Sequence, residues 1–67
     1  MTVGEKIKAT REYYGLTQRQ VGEACGFSGL AAQIYVARWE AGTRPVPIDK
    51  IRLLAKTLKI PIDDLIQ

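Results

Sequence analysis

The side chains able to do chemistry in this chain are few. There is one cysteine, Cys25, and no histidine. A lone thiol cannot close an internal disulfide, and the place of Cys25 before Gly26, at the end of an amphipathic run, assigns it to core filling rather than to redox or nucleophilic work. Without histidine, the chain lacks the side chain that moves protons near neutral pH and binds metals most readily. The acids are scattered, with only Asp63 and Asp64 adjacent, so no carboxylate pair is set up for acid–base catalysis. We therefore expect no enzyme, no metal site and no cofactor. What remains is hydrogen-bonding chemistry from arginine, glutamine, serine and threonine.

The bulk properties narrow the partners little. A chain of 67 residues reads as one domain, 1–67, with a small core and no room for a large cleft. Its 46% hydrophobic and 25% charged residues are those of an ordinary soluble protein, and no apolar run approaches the length of a membrane span. No leader is expected ahead of Gly4. Ten Lys and Arg against seven Asp and Glu give a net charge of +3, compatible with a polyanionic partner without demanding one. The unpaired cysteine favours a reducing, cytoplasmic setting.

The elements that must position these side chains are helices throughout. Thr2 and Glu5 have capping-box spacing, and Val3, Ile7 and Tyr14 recur at helical intervals, so a first helix is expected from about Val3 to Tyr14, closed by Gly15. Thr17 and Gln20 repeat the box, and Leu16 ahead of them can staple against Val21. The second helix then runs from about Gln18 to Cys25 and buries Val21, Ala24 and Cys25. Gly26 permits the helix to end, and Ser28 is again of N-cap type, so a third helix opens within a few residues. Pro45 and Pro47 stop it after Gly42, and Pro47 can start a fourth helix. There Ile48, Ile51, Leu54, Ala55 and Leu58 form one apolar stripe, with Lys50, Arg52, Lys56 and Lys59 on the solvated faces. A last short helix follows Pro61, with Asp63 and Asp64 in its first turn.

Helices two and three, with a sharp turn between, resemble the helix-turn-helix of the lambda-repressor-like, Cro-type (XRE-type) family. The likeness lies in Ile7-Lys8 and Arg11, Gly15-Leu16-Thr17-Gln18, Gly26-Phe27-Ser28, Trp39-Glu40-Ala41-Gly42, and Leu54-Ala55 with Leu58 and Ile60. It covers nearly the whole chain and implies an all-α, five-helix domain. Two departures stand out. Ser28 and Glu40 are twelve positions apart (40 − 28), about four more than the family pattern implies, which is roughly one helical turn. Leu30, Ala31, Ala32 and Gln33 favour helix, so the recognition helix is expected to be lengthened at its amino end; an enlarged turn is the alternative. The second departure is Gly22, where the family usually has alanine, which permits close packing of helix three.

The resemblance implies binding to double-stranded DNA, with helix three in the major groove. Matched backwards from Glu40, Val36 falls at a buried position and Gln33, Ile34, Tyr35 and Arg38 at positions that reach DNA. Arg38 suits guanine O6/N7 and Gln33 suits adenine N6/N7, each through two parallel hydrogen bonds. Gln18 corresponds to a phosphate-clamping glutamine, with Arg19 beside it, and Ser28, Thr43 and Arg44 to flanking contacts. Arg11 and Glu40 match a structural ion pair, and Trp39 a core position; Tyr13 and Tyr14 are also assigned to structure. Projected at about 100° per residue from Val36, Gly29, Ala32, Gln33, Trp39 and Glu40 face inward, while Leu30, Ala31, Ile34 and Arg38 face outward. That outer face is unusually apolar, as a face reading thymine methyls or contacting a protein would be.

The expected function is that of a small bacterial or phage repressor, acting as a homodimer on an operator. Its dimer contact is sought at Ile62, Leu65 or Ile66, with the exposed face of Leu30 as second choice. The alternative is a protein-interaction module of antitoxin-like or coactivator-like type, using the Leu30/Ile34 face.

Overall fold

The computed structural model describes residues 1–66. Among these there is no strand. Four α-helices, α1 (Val3–Tyr13), α2 (Gln18–Ala24), α3 (Gly29–Ala41) and α4 (Ile48–Leu58), are followed by a single 3-10 turn, Ile62–Leu65. The fifth helix of the sequence reading is therefore corrected to that turn. Pro61 has no N–H to give and stays extended at ψ 140°, Asp64 N–H donates back to the Pro61 carbonyl at 3.0 Å, and the chain is extended again at Ile66, so no α-helical ladder forms.

Both amino-terminal caps form as the local spacing predicts. Thr2 Oγ1 accepts from Glu5 N–H at 3.1 Å while Glu5 Oε1 accepts from Thr2 N–H at 2.8 Å. The Thr2 backbone bond, helped by the hydroxyl, holds the Glu5 carboxyl below its usual value. Thr17 and Gln20 repeat the exchange at 3.0 and 2.8 Å. Pro47 is the N-cap of α4 rather than its first residue: its ψ of 145° is extended, and its carbonyl accepts from Lys50 and Ile51.

The core gathers Ile7 of α1, Val21 of α2, Cys25 just after it, Val36 and Trp39 of α3, and Leu54 and Leu58 of α4, with Ile60 and Leu65 closing one side. Cys25 is fully buried, and that burial pushes its thiol up from 9.0, outweighing the opposite pull of Lys50. Trp39 is 2% exposed, with its indole Nε1 unpartnered among the described residues.

Several assigned core positions lie outside. Ala24 is exposed, because α2 turns Gly22 inward together with Val21 and Cys25, which rotates the buried arc and leaves Ala24 about 110° away from its centre. Tyr13 is 82% exposed because, six residues from buried Ile7, it lies about 120° away around α1; Tyr14 is 41% exposed because α1 stops at Tyr13 and the helical period no longer carries position 14 inward. Their rings meet edge-on at 5.1 Å, and Lys59 Nζ lies 5.7 Å from the Tyr14 centroid. Ile48 is 89% exposed because, as the first residue of α4, it projects beyond the core that the rest of its stripe reaches. Leu65, sought as a dimer contact, is 4% exposed and packed into the core, so it is withdrawn from that surface.

Candidate nucleic-acid interface

α3 is the element on which the candidate side chains are mounted, and its thirteen residues begin at Gly29. The residues around the four-residue excess, Gly29 to Ala32, make its first turn, so the excess extends the helix rather than the turn before it. The chain enters through Gly29 at φ 61°, a left-handed conformation that glycine adopts without a Cβ penalty. Ala32 then lies so close to α2 that a Cβ on Gly22 would strike the Ala32 backbone, its Cα only 2.7 Å away. Glycine at position 22 lets the two helices meet backbone to backbone.

The outward face of α3 carries Leu30, Ala31, Gln33, Ile34 and Arg38, all exposed, while Ala32, Val36 and Trp39 are buried. Gln33, at the edge of the inward sector in the projection, is on the solvent side. Tyr35 is half-buried, its ring stacked on Phe27 at 4.3 Å and 19°, so its aromatic surface is committed to the packing beside the core.

At the carboxyl end of α3 the polar groups converge. Arg11 Nε donates to Glu40 Oε2 at 2.6 Å and Nη2 to Glu40 Oε1 at 3.1 Å, a two-pronged pair with side chains 12% and 5% exposed. The Glu40 hydrogen bonds raise the Arg11 pKa, against the opposing effect of burial. Arg11 Nη1 also donates to the Leu16 carbonyl at 3.0 Å, which ties the loop after α1 to the same point. Gln18 Nε2 reaches Glu40 Oε1 at 3.1 Å. Gln18 is thus anchored by α3, and a carboxamide nitrogen has a second N–H, which this contact leaves available. Sequence reasoning gave Gln18 to phosphate alone and missed its link to Glu40.

The remaining candidates separate into two groups. Near the Glu40 end, Thr43 donates from its N–H (3.1 Å) and its hydroxyl (3.4 Å) to the Arg38 carbonyl, closing the helix, and Thr43 and Arg44 are both exposed. At the other end Ser28 is exposed and its hydroxyl makes no cap bond. The thirteen residues of α3 hold these groups about 20 Å apart. Arg19, on α2, is paired with Glu23 one turn on at 3.2 Å, an exposed contact of small energy. Gly4 also went unnoticed in the sequence: a Cβ there would meet the Trp39 and Glu40 backbone, so α1 approaches the end of α3 as closely as α2 approaches its start.

An exposed helix seated on a shorter helix through a glycine contact, with a sharp turn between the two, defines a helix-turn-helix domain. The chain belongs to the XRE-type, lambda-repressor-like helix-turn-helix family: the family model described as helix-turn-helix matches residues 7–65. Among curated proteins and solved structures, none matches the chain.

Proposed function

We propose that this chain, as one domain, is a sequence-specific transcriptional regulator that binds duplex DNA with α3 in the major groove and represses from an operator as a homodimer in the cytoplasm. The observation that carries this reading is Arg38: it lies on the outer face of α3, exposed, and has no ion-pair partner among the described residues. A guanidinium left free on a groove-sized helix suits guanine O6/N7, and Gln33 suits adenine. The free N–H of Gln18, with Ser28, Arg19, Thr43 and Arg44, suits phosphate oxygens on either side. Ile34 completes the set matched to DNA contact, while Tyr35, its ring stacked on Phe27, has only its hydroxyl edge to offer. For the second copy, Ile48, Ile62 and Ile66 supply an exposed apolar surface at the far side of α4, and a two-fold pair is what a tight operator complex of modules this small requires.

Binding to random duplexes across a salt series tests the reading, since phosphate-dominated association weakens steeply as salt rises. Arg38→Ala is expected to relax preference at one base position by about 1–3 kcal/mol, and Gln18→Ala to weaken all duplexes alike. Absence of duplex binding at low salt overturns it. The second reading, a protein-interaction module, draws on exposed Leu30 and Ile34; it takes over if that face captures a protein while no duplex is bound.

A further inference from the structure

Leu30, Ile34 and Arg38 are spaced by one helical turn each and share one side of α3. All three are exposed, Leu30 at 68% and Ile34 at 37%. From Leu30 to Arg38 the stripe is about 12 Å long at 1.5 Å per residue, a length that matches three to four base-pair steps at about 3.4 Å each. Two of its three side chains are pure hydrocarbon. Neither belongs to the core cluster, and the surface offered for a second copy is elsewhere, at Ile48, Ile62 and Ile66.

Resting on the DNA-binding reading, we propose that Leu30 and Ile34 read thymine: their hydrocarbon packs against thymine C5-methyl groups, so each half-site places A·T pairs opposite the amino-terminal half of α3 and a G·C pair opposite Arg38. The chemistry permits one attractive partner. In the major groove every base edge presents a donor or acceptor, and only thymine adds an apolar group. Set against guanine or cytosine, a leucine or isoleucine displaces water from a polar edge and returns no hydrogen bond, so the same side chains reject as well as select. Gln33, three residues from Leu30 and exposed, can accept from N6 and donate to N7 of an adenine, the partner base in the same kind of pair. The charge at the end of the stripe favours nucleic acid as the occupant, because Arg38 closes it without an ion-pair partner among the described residues.

The test uses the intact chain and has two arms. Selection from a random duplex library gives the bound sequence, and each selected thymine is then replaced by deoxyuridine, which removes only the methyl group. Wild-type protein is expected to lose about fourfold in affinity for each contacted methyl removed, the worth of one buried carbon. Leu30→Ala is expected to lose the thymine preference opposite position 30 and keep it opposite position 34, Ile34→Ala the converse, and the double variant to lose both, with the salt dependence of the parent retained. Leu30 is 68% exposed, so Leu30→Ala is not expected to change melting; Ile34, at 37%, is expected to lower it slightly when truncated, and the deoxyuridine arm needs no variant. Equal affinity of the wild type for both duplexes overturns the proposal, as does selection of G·C pairs opposite Leu30 and Ile34. Salt-sensitive duplex binding with no enriched sequence overturns it while leaving DNA binding intact. Loss of binding to every duplex at low salt removes the underlying reading as well. Conversion of a dimer to a monomer by Leu30→Ala overturns it in favour of a subunit contact.

Discussion

At its amino end α3 meets α2 through bare backbone, with Gly22 against Ala32, and the side chains that remain, Leu30 and Ile34, point away into solvent. At its carboxyl end a like backbone approach, Gly4 of α1 against Trp39 and Glu40, is joined by charge, with Arg11, Glu40 and Gln18 in one network that also takes in the Leu16 carbonyl. The first attachment depends on the absence of a single carbon atom and cannot adjust. The second depends also on directional bonds between groups that would otherwise be costly to leave half-buried. Fixing one end by steric fit alone and the other by fit and directional bonds together sets both the tilt and the rotation of the helix, and these decide which side chains face a groove.

Substitutions at the two ends should separate these mechanisms. The largest effect is expected from Gly22→Ala: the added methyl strikes backbone that no side-chain rotation can move, a penalty of at least about 3 kcal/mol, and a domain this small has little more than that to lose. Circular dichroism should show no cooperative thermal transition, and a stable Gly22→Ala variant would mean that α3 can slide on α2. Next is Glu40→Ala, which strands the Arg11 guanidinium and should cost about 3 kcal/mol in denaturant titrations. Arg11→Ala with Glu40→Ala together should cost less than the sum, and strict additivity would dissolve the network as an attachment. Gly29→Ala probes conformation without crowding, since nothing lies within 4 Å of the added carbon; the left-handed φ alone should cost about 1 kcal/mol, read as a lowered melting temperature. The smallest effect is expected from Leu30→Ala, within about 0.5 kcal/mol of the parent stability, because the side chain holds nothing in the folded chain.

What was legible in the sequence follows the range of each interaction. The two capping boxes need only residues three apart, and Thr2 with Glu5 and Thr17 with Gln20 form as their spacing implies. The stripe of α4 is equally local, and it fails only at Ile48, where the helix begins before the core does. The lengthened start of α3 could be read because Leu, Ala and Gln carry no turn chemistry. Contacts distant in sequence were hidden. Nothing near Gly4 announces that the end of α3 rests on it, and Gln18 reads as a phosphate contact alone until Glu40, twenty-two positions on, is brought beside it. Tyr14 was misplaced for a related reason: its type and spacing suit a core, but where α1 stops decides whether it reaches one, while Tyr13 simply falls on the outer face of the helix.

Trp39 gives the molecule an optical handle. It is the only tryptophan in the chain, it is 2% exposed, and its indole nitrogen has neither a described partner nor access to water. An indole in so dry a setting emits toward the blue, and release of α3 from the core would move that emission to the red. Arg38 is the preceding residue, about 100° around the helix and on its wet face. Occupation of the outer face therefore leaves the emission wavelength nearly unchanged, while undocking of the helix shifts it. The two events carry different colours, and they can be told apart in one cuvette without a dye.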